Sequence, residues 1–321
     1  MMALVKYEGK RGEFEYDDTE FEFDENKLLK YIGSETDGSK IKIPDGIKNC
    51  RSMFEGCTSL KSTPTIPKSV DCCEKMFMNC KSLETASNIG TDQRDRIFNC
   101  NSMFKGCTSL KEPPAFLHGL SFCENMFENC TSLEKTPEMS ELKVCSHMFY
   151  GCTSLKEVNV CDDMCNSRMD YVRDCSAMFM FCTSLEEAPE FISGDKYSSE
   201  DNYCGFMFCG CTSLKKPPKS ISDFGDCTSM FSGCTSLENV PELDIAADCN
   251  NMFEDCISLK KAPIIPHDIG EHANMFKGCS EEVQKQGEWC LEHKGQAYKD
   301  LSKRRLPNVP EGSLDNDKQY E

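Results

Sequence analysis

One eleven-residue pattern, Cys-x-x-Met-Phe-x-x-Cys-x-Ser-Leu, governs what this chain can fold into. It occupies residues 50–60, 73–83, 100–110, 123–133, 145–155, 175–185, 204–214, 227–237 and 249–259. A decayed tenth copy has His272 in the first position, followed by Met275, Phe276 and Cys279. Successive methionines are 23, 27, 23, 22, 30, 29, 23, 22 and 23 residues apart, a basic step of 22–23 residues with three longer units. A fixed period of that size signals stacked supersecondary units rather than one compact core.

Counting the first Cys as position 0, the apolar residues fall at positions 0, 3, 4 and 7, a spacing that predicts a short helix with one buried face. Position 6 is Gly56, Asn79, Gly106, Asn129, Gly151, Phe181, Gly210, Gly233, Asp255 and Gly278. All but Phe181 readily take the left-handed conformation that ends a helix. A proline follows the Leu by four residues in seven of nine units, from Pro64 to Pro263. Each unit therefore reads as a helical turn, a reversal and a brief strand. Neither face of so small a unit can be buried without neighbours, so the units must stack into a solenoid. The residue after each Leu runs Lys61, Glu84, Lys111, Glu134, Lys156, Glu186, Lys215, Glu238, Lys260. With strands ~4.8 Å apart this is a cross-strand charge ladder that fixes register and solubility.

The runs Met-Phe-Glu-Gly-Cys-Thr-Ser-Leu (53–60), Met-Phe-Tyr-Gly-Cys-Thr-Ser-Leu (148–155) and Met-Phe-Ser-Gly-Cys-Thr-Ser-Leu (230–237) resemble the BspA-type leucine-rich repeats of bacterial surface proteins. The likeness spans residues 41–280. It implies an α/β fold, a right-handed leucine-rich-repeat solenoid of short parallel strands and short helical turns, with a binding role and no shared catalytic site. Cys stands where many such repeats carry an aliphatic residue or Met.

Composition narrows the function. With 54 acidic against 36 basic residues, a formal charge of -18 would repel a phosphate backbone, which argues against nucleic acid as partner. No run approaches the ~18 apolar residues of a membrane helix, and the first eight residues carry no apolar stretch like a secretory signal, so the expected location is cytoplasmic, with the cell surface as alternative. Five histidines, and neither a Gly-rich phosphate loop nor a His-Glu-x-x-His pattern, argue against an enzyme and against any cofactor.

Nineteen of the 24 cysteines are repeat positions 0 and 7. Seven helical residues span ~10 Å, beyond disulfide reach, and helices of adjacent units would pack ~8–10 Å apart, so buried reduced thiols are expected. Cys72, Cys161, Cys165, Cys209 and Cys290 lie off the repeat. Cys161-x-x-x-Cys165 lacks the second pair that a zinc site needs, so no metal is expected.

The organisation read from these signals is an N-terminal β cap (1–35) built as an antiparallel meander, a solenoid (36–280), a capping helix (281–303) and a disordered tail (304–321). Three long linkers, 88–98, 161–174 and 191–203, should emerge on one face, often the binding face. The last two belong to consecutive units and supply the candidate partner-binding residues Asp162, Asp163, Arg168, Asp170, Tyr171, Arg173, Asp195, Lys196, Tyr197, Glu200, Asp201 and Tyr203. Tyr and Arg are enriched at interface hot spots. Arg94 and Arg96 of the first linker could flank them. The function expected is a non-enzymatic, monomeric scaffold binding another protein through its strand face and these loops. A cell-surface adhesin and a Cys-rich metal or redox protein are the alternatives.

Overall fold

The computed structural model describes residues 4–9, 12–87, 99–118, 122–140, 144–159, 168–189, 191–194, 202–244 and 247–296. Ten copies of the repeat, units 1 to 10 from Cys50 to His272, stack in chain order as a solenoid, with one unbroken hydrophobic core running through them.

The helical stretch predicted for positions 0–7 is not a helix. In unit 1 the amides of Cys50, Ser52, Phe54 and Gly56 donate to the carbonyls of Cys72, Glu74, Met76 and Met78 in unit 2, at 2.8–2.9 Å. The intervening amides of Met53, Glu55 and Cys57 donate three residues back, to Cys50, Ser52 and Phe54. Arg51 donates to the Asn49 side chain. Every amide from 50 to 57 is thus satisfied, half within the unit and half across to the next. The chain is a run of tight turns whose alternate peptides form a parallel ladder.

Two residues per unit make this possible. Position 2 has φ between 53° and 61° and position 6 between 58° and 77° in all ten units. A positive φ at the third residue is the requirement of a type II turn, and it breaks the i to i−4 bonding of a helix every fourth residue. Phe181 obeys the rule with φ 62°, so it is an exception in chemistry only.

Stacking in register turns each buried position into a column. The position 4 rings, from Phe54 through Phe77, Phe104, Phe127, Phe149, Phe179, Phe208, Phe231 and Phe253 to Phe276, stack with centroids 5.3–5.8 Å apart and planes within 17°. The position 7 thiols have a polar task as well as an apolar one. Nine of them, from Cys80 to Cys279, donate at 3.0–3.2 Å to the position 4 carbonyl of the preceding unit. A cysteine therefore fills a small apolar site and ties consecutive units together with one side chain.

Outside the turns, single parallel bridges link position −1 from Asn49 through Cys72, Asn99, Phe122, Val144, Asp174, Tyr203 and Asp226 to Asp248. Of the charge ladder, Lys156–Glu134 (3.2 Å), Lys215–Glu186 (3.0 Å) and Lys260–Glu238 are ion pairs in this structure. All are exposed, so each contributes ~0–1 kcal/mol at most.

The N-terminal strands form two hairpins rather than the predicted meander. β1 (Leu4–Gly9) pairs antiparallel with β2 (Gly12–Asp17), and β3 (Phe21–Phe23) with β4 (Leu29–Tyr31). Asp17 ends β2 by accepting hydrogen bonds from the Thr19 amide and hydroxyl, and β3 then turns to place Phe21 and Tyr31 against Phe54. At the opposite end, α1 (Glu281–Glu292) begins at Ser280, whose hydroxyl accepts from the Val283 amide. It is shorter than the predicted 281–303 because the chain leaves the helix at His293 and reverses at Gly295, φ 78°. Gly287 is what brings α1 down onto Phe276, since a side chain there would collide with that ring. The expected tail, 304–321, lies outside the described residues.

Candidate interaction surface

Positions 5 and 6 lie on the outer side of the turn run, and position 5 is the row in which long side chains stack from unit to unit. Position 2 is buried where it is small, as at Ser52 and Ala177, and exposed at His147 and Phe206. In six units position 5 is charged or small (Glu55, Lys105, Glu128, Ser232, Glu254 and Lys277), and in unit 2 it is Met78. Ion pairs run along it where signs alternate, as in Lys105–Glu128 and Lys277–Glu254. In units 5, 6 and 7 the row changes to Tyr150, Met180 and Cys209, brought side by side by the bonds Gly151 N to Met180 O and Phe181 N to Cys209 O, both 2.9 Å.

Aromatic residues gather on the same three units. Tyr150 meets the Phe181 ring edge-on at 5.6 Å, and His147 lies 5.8 Å from Tyr150. Phe181 spreads over Gly210 of the next unit, where a methyl group would strike its ring. Phe181 and Phe206 remain 40% and 42% exposed, and Tyr203 is exposed beside them in sequence. Both phenylalanines carry positive φ, 62° and 61°. A bulky residue in that conformation costs ~1–2 kcal/mol. The Gly, Asn or Asp at position 6 of the other units avoids that cost, whereas position 2 is left-handed with Ser, Lys, Asn, His or Ala in the other units. Neither exposure nor backbone geometry explains the two phenylalanines as stabilising choices, whereas exposed apolar groups in a polar row mark an interaction site.

Of the twelve sequence-predicted residues, Arg168, Asp170, Tyr171, Arg173 and Tyr203 are among the described residues. β7 (Arg168–Val172) and β8 (Phe191–Gly194), which come from the two long linkers, pair in parallel with Arg168 opposite Phe191. β9 (Ser220–Ser222) and β10 (Glu242–Asp244) continue the sheet. The shorter linkers of units 3 and 4 give a second parallel pair, β5 (Phe116–His118) with β6 (Glu138–Ser140). The two long linkers are therefore neighbours, with Arg168, Asp170 and Tyr171 on one strand. Arg173 and Tyr203 are both exposed and are joined through their backbones, Tyr203 N to Arg173 O at 2.8 Å. Asp162, Asp163, Asp195, Lys196, Tyr197, Glu200 and Asp201 lie outside the described residues, as do Arg94 and Arg96.

Sequence reasoning missed His147, Tyr150 and Phe206. A signal was present at position 6, where Phe181 stood out. At position 2 nothing marked a left-handed residue. Among the described residues no group of three or more His, Cys, Asp or Glu is placed to hold a metal ion. The pair Cys161 and Cys165 lies outside them. Among the same residues, no helix is long and apolar enough to cross a membrane.

The family model for the BspA type leucine rich repeat region matches in six copies, over residues 28–156, 100–178 and 175–283. The chain belongs to this BspA-type family. Solved structures with a similar fold include a leucine-rich cell surface protein from Faecalibacterium prausnitzii, at 14% identity over 88% of this chain and 97% of that one, TM-score 0.38. A leucine-rich repeat protein from T. pallidum matches at 19% identity over 68% and 87%, TM-score 0.34. One from Bacteroides ovatus matches at 17% over 81% and 90%, TM-score 0.28. No curated protein matches the sequence. Membership of the BspA-type family therefore rests on the repeat itself.

Proposed function

We propose that this BspA-type protein is a non-enzymatic scaffold that binds another protein through units 5 to 7, using the exposed His147, Phe181 and Phe206 and the half-buried Tyr150 together with strand β7 and Tyr203. The right-handed winding and the capping of the core by the N-terminal hairpins and α1 belong to the same reading. The observation that carries it is the pair of phenylalanines held at positive φ with 40% and 42% of their surface still exposed, Phe181 only partly covered by Tyr150 and Gly210. Tyr and Met beside them are residue types enriched where proteins meet.

Partner capture from the native source tests it, with wild type compared against Phe181→Asn/Phe206→Asn and against Tyr171→Ala/Arg173→Ala/Tyr203→Ala. A partner bound by wild type and lost, by tenfold or more, in the first variant supports the aromatic row, and loss in the second extends the site to β7. A partner bound equally by all three overturns the assignment to units 5 to 7.

The cytoplasmic location expected from the sequence is part of this proposal. Family membership favours a second reading, a cell-surface adhesin carrying the same binding face. Labelling intact cells with a membrane-impermeant reagent separates the two.

A further inference from the structure

The parallel ladder brings equivalent cysteines of adjacent units far closer than the helix spacing used in the sequence reading. Tyr203 and Asp226, the residues immediately before Cys204 and Cys227, are bridged in parallel, and Cys204 N donates to Asp226 O at 3.0 Å. Paired strands lie ~4.8 Å apart, inside the Cα range of 4.4–6.8 Å in which a disulfide closes. The two sulfurs face each other at 3.2 Å. Elsewhere in the position 0 column Cys145 turns to the Met178 sulfur at 3.8 Å and Cys175 to the Tyr203 carbonyl at 3.4 Å, while Cys249 reaches both the Ala247 carbonyl at 3.5 Å and the Cys227 thiol. The 204–227 pair thus has the shortest sulfur separation of these contacts, and 227–249 is its competitor. The position 7 thiols are held by the phenylalanine carbonyls and are not offered to one another.

We propose that Cys204 and Cys227 are a redox pair whose state is set while the chain folds and is then sealed by stacking. The oxidant required is a disulfide of the glutathione class. The Cys204 thiolate attacks one of its sulfurs, the oxidant's S–S bond breaks, and one thiolate leaves. The Cys227 thiolate then attacks the sulfur of Cys204 in this mixed disulfide and expels the second thiolate. Two electrons pass to the oxidant, which ends as two thiols carrying the two protons lost by the pair.

Folding then closes the route in both directions. Both cysteines are fully buried. Burial pushes the Cys204 thiol up to about 11, and the hydrogen bond with Cys204 together with burial raises Cys227. Neither is a nucleophile at neutral pH in the folded chain, and no reductant can reach a bond between them.

The test is to refold the full chain from denaturant, once with oxidised glutathione and once with excess dithiothreitol, then block free thiols in denaturant and map peptides by mass spectrometry. The expected result is a peptide pair joined through 204 and 227 in the oxidised sample alone. Folded reduced protein given the same oxidant should form it at least 100-fold more slowly. Folded oxidised protein should keep it in dithiothreitol. Absence of the 204–227 link, a preferred 227–249 link, crosslinks spread without preference along the column, or equal rates in folded and refolding protein would each overturn the proposal. Because the mapping uses wild type, it does not depend on whether Cys204→Ser or Cys227→Ser folds.

Discussion

The carboxamide oxygen of Asn79 occupies the space that a side chain on Gly106 would need. Both are position 6 residues of adjacent units, and the same relation recurs for Asn129 with Gly151, Phe181 with Gly210 and Asp255 with Gly278. A side chain at position 6 leans over the next unit, so two large residues cannot follow one another in this row. Gly56 has positive φ too, but nothing within reach of a methyl group. Gly56→Ala should therefore lose ~1–2 kcal/mol, from the left-handed backbone alone. Gly106→Ala should lose roughly 1–3 kcal/mol more, the range for overpacking. Urea unfolding of the two variants measures the difference. Adding Asn79→Gly to Gly106→Ala should recover most of that excess, and equal losses for the two alanines would contradict the packing account.

Phe206 leads to the opposite sign. Its ring is 42% exposed and its φ is 61°, a conformation in which Asn is at ease. Phe206→Asn is expected to raise stability by about 0.5–1 kcal/mol, seen as a higher urea midpoint with unchanged slope. A gain here combined with loss of partner binding would identify a residue kept for function against stability. A fall in stability would mean that the ring packs within the chain and is no docking group.

How much of this could be read from the residues follows from what each position shows. Phe54, Leu60, Cys57 and their repeats announced the solenoid because their period admits no other burial. The turn geometry was hidden, since spacing 0, 3, 4, 7 fits both one helix face and a run of turns. Position 6, rich in Gly and Asn, disclosed one left-handed residue per unit. Position 2, with Ser52, Lys75, Ala177 and Phe206, disclosed nothing, because the cross-unit bonds rather than residue type impose its φ. The thiol bonds of Cys80 and its equivalents were hidden for a related reason, as they depend on the register between units.

The phenylalanine column should behave as a chain of nearest-neighbour contacts. Phe127 stacks between Phe104 and Phe149 and is fully buried, while Phe276, among the described residues, stacks on Phe253 alone and is 6% exposed. Phe127→Ala is expected to cost about 3–5 kcal/mol. It should also split unfolding into two transitions, since coupling along a repeat array passes only through adjacent units. Phe276→Ala should cost less and leave one transition, with α1 loosened. Denaturant melts followed by fluorescence of Trp289, which lies in α1, and by circular dichroism separate the two cases. A single unshifted transition for Phe127→Ala would sink the nearest-neighbour reading.

Alkaline pH should dismantle the core abruptly. Burial pushes the Cys107 thiol up to about 12 and raises Cys73, Cys100, Cys130 and Cys182 as well, whereas an unfolded thiol titrates near 8.5. For a thiol raised in the folded state, the unfolded chain loses its proton first, so above about pH 8.5 the unfolded state binds fewer protons and stability falls with rising pH. The contribution is complete below pH 8.5 and is lost progressively up to the folded value. Each such thiol removes about 1.4 kcal/mol per pH unit, so these five remove on the order of 7 kcal/mol over one unit. That equals the whole stability of an ordinary domain. The fold should hold to about pH 9 and then collapse within roughly one unit, with thiolate absorbance near 240 nm rising in the same step as the loss of ellipticity. Thiolate absorbance that instead rises gradually from pH 8.5 while the ellipticity persists would show the columns open to solvent, against the burial found here.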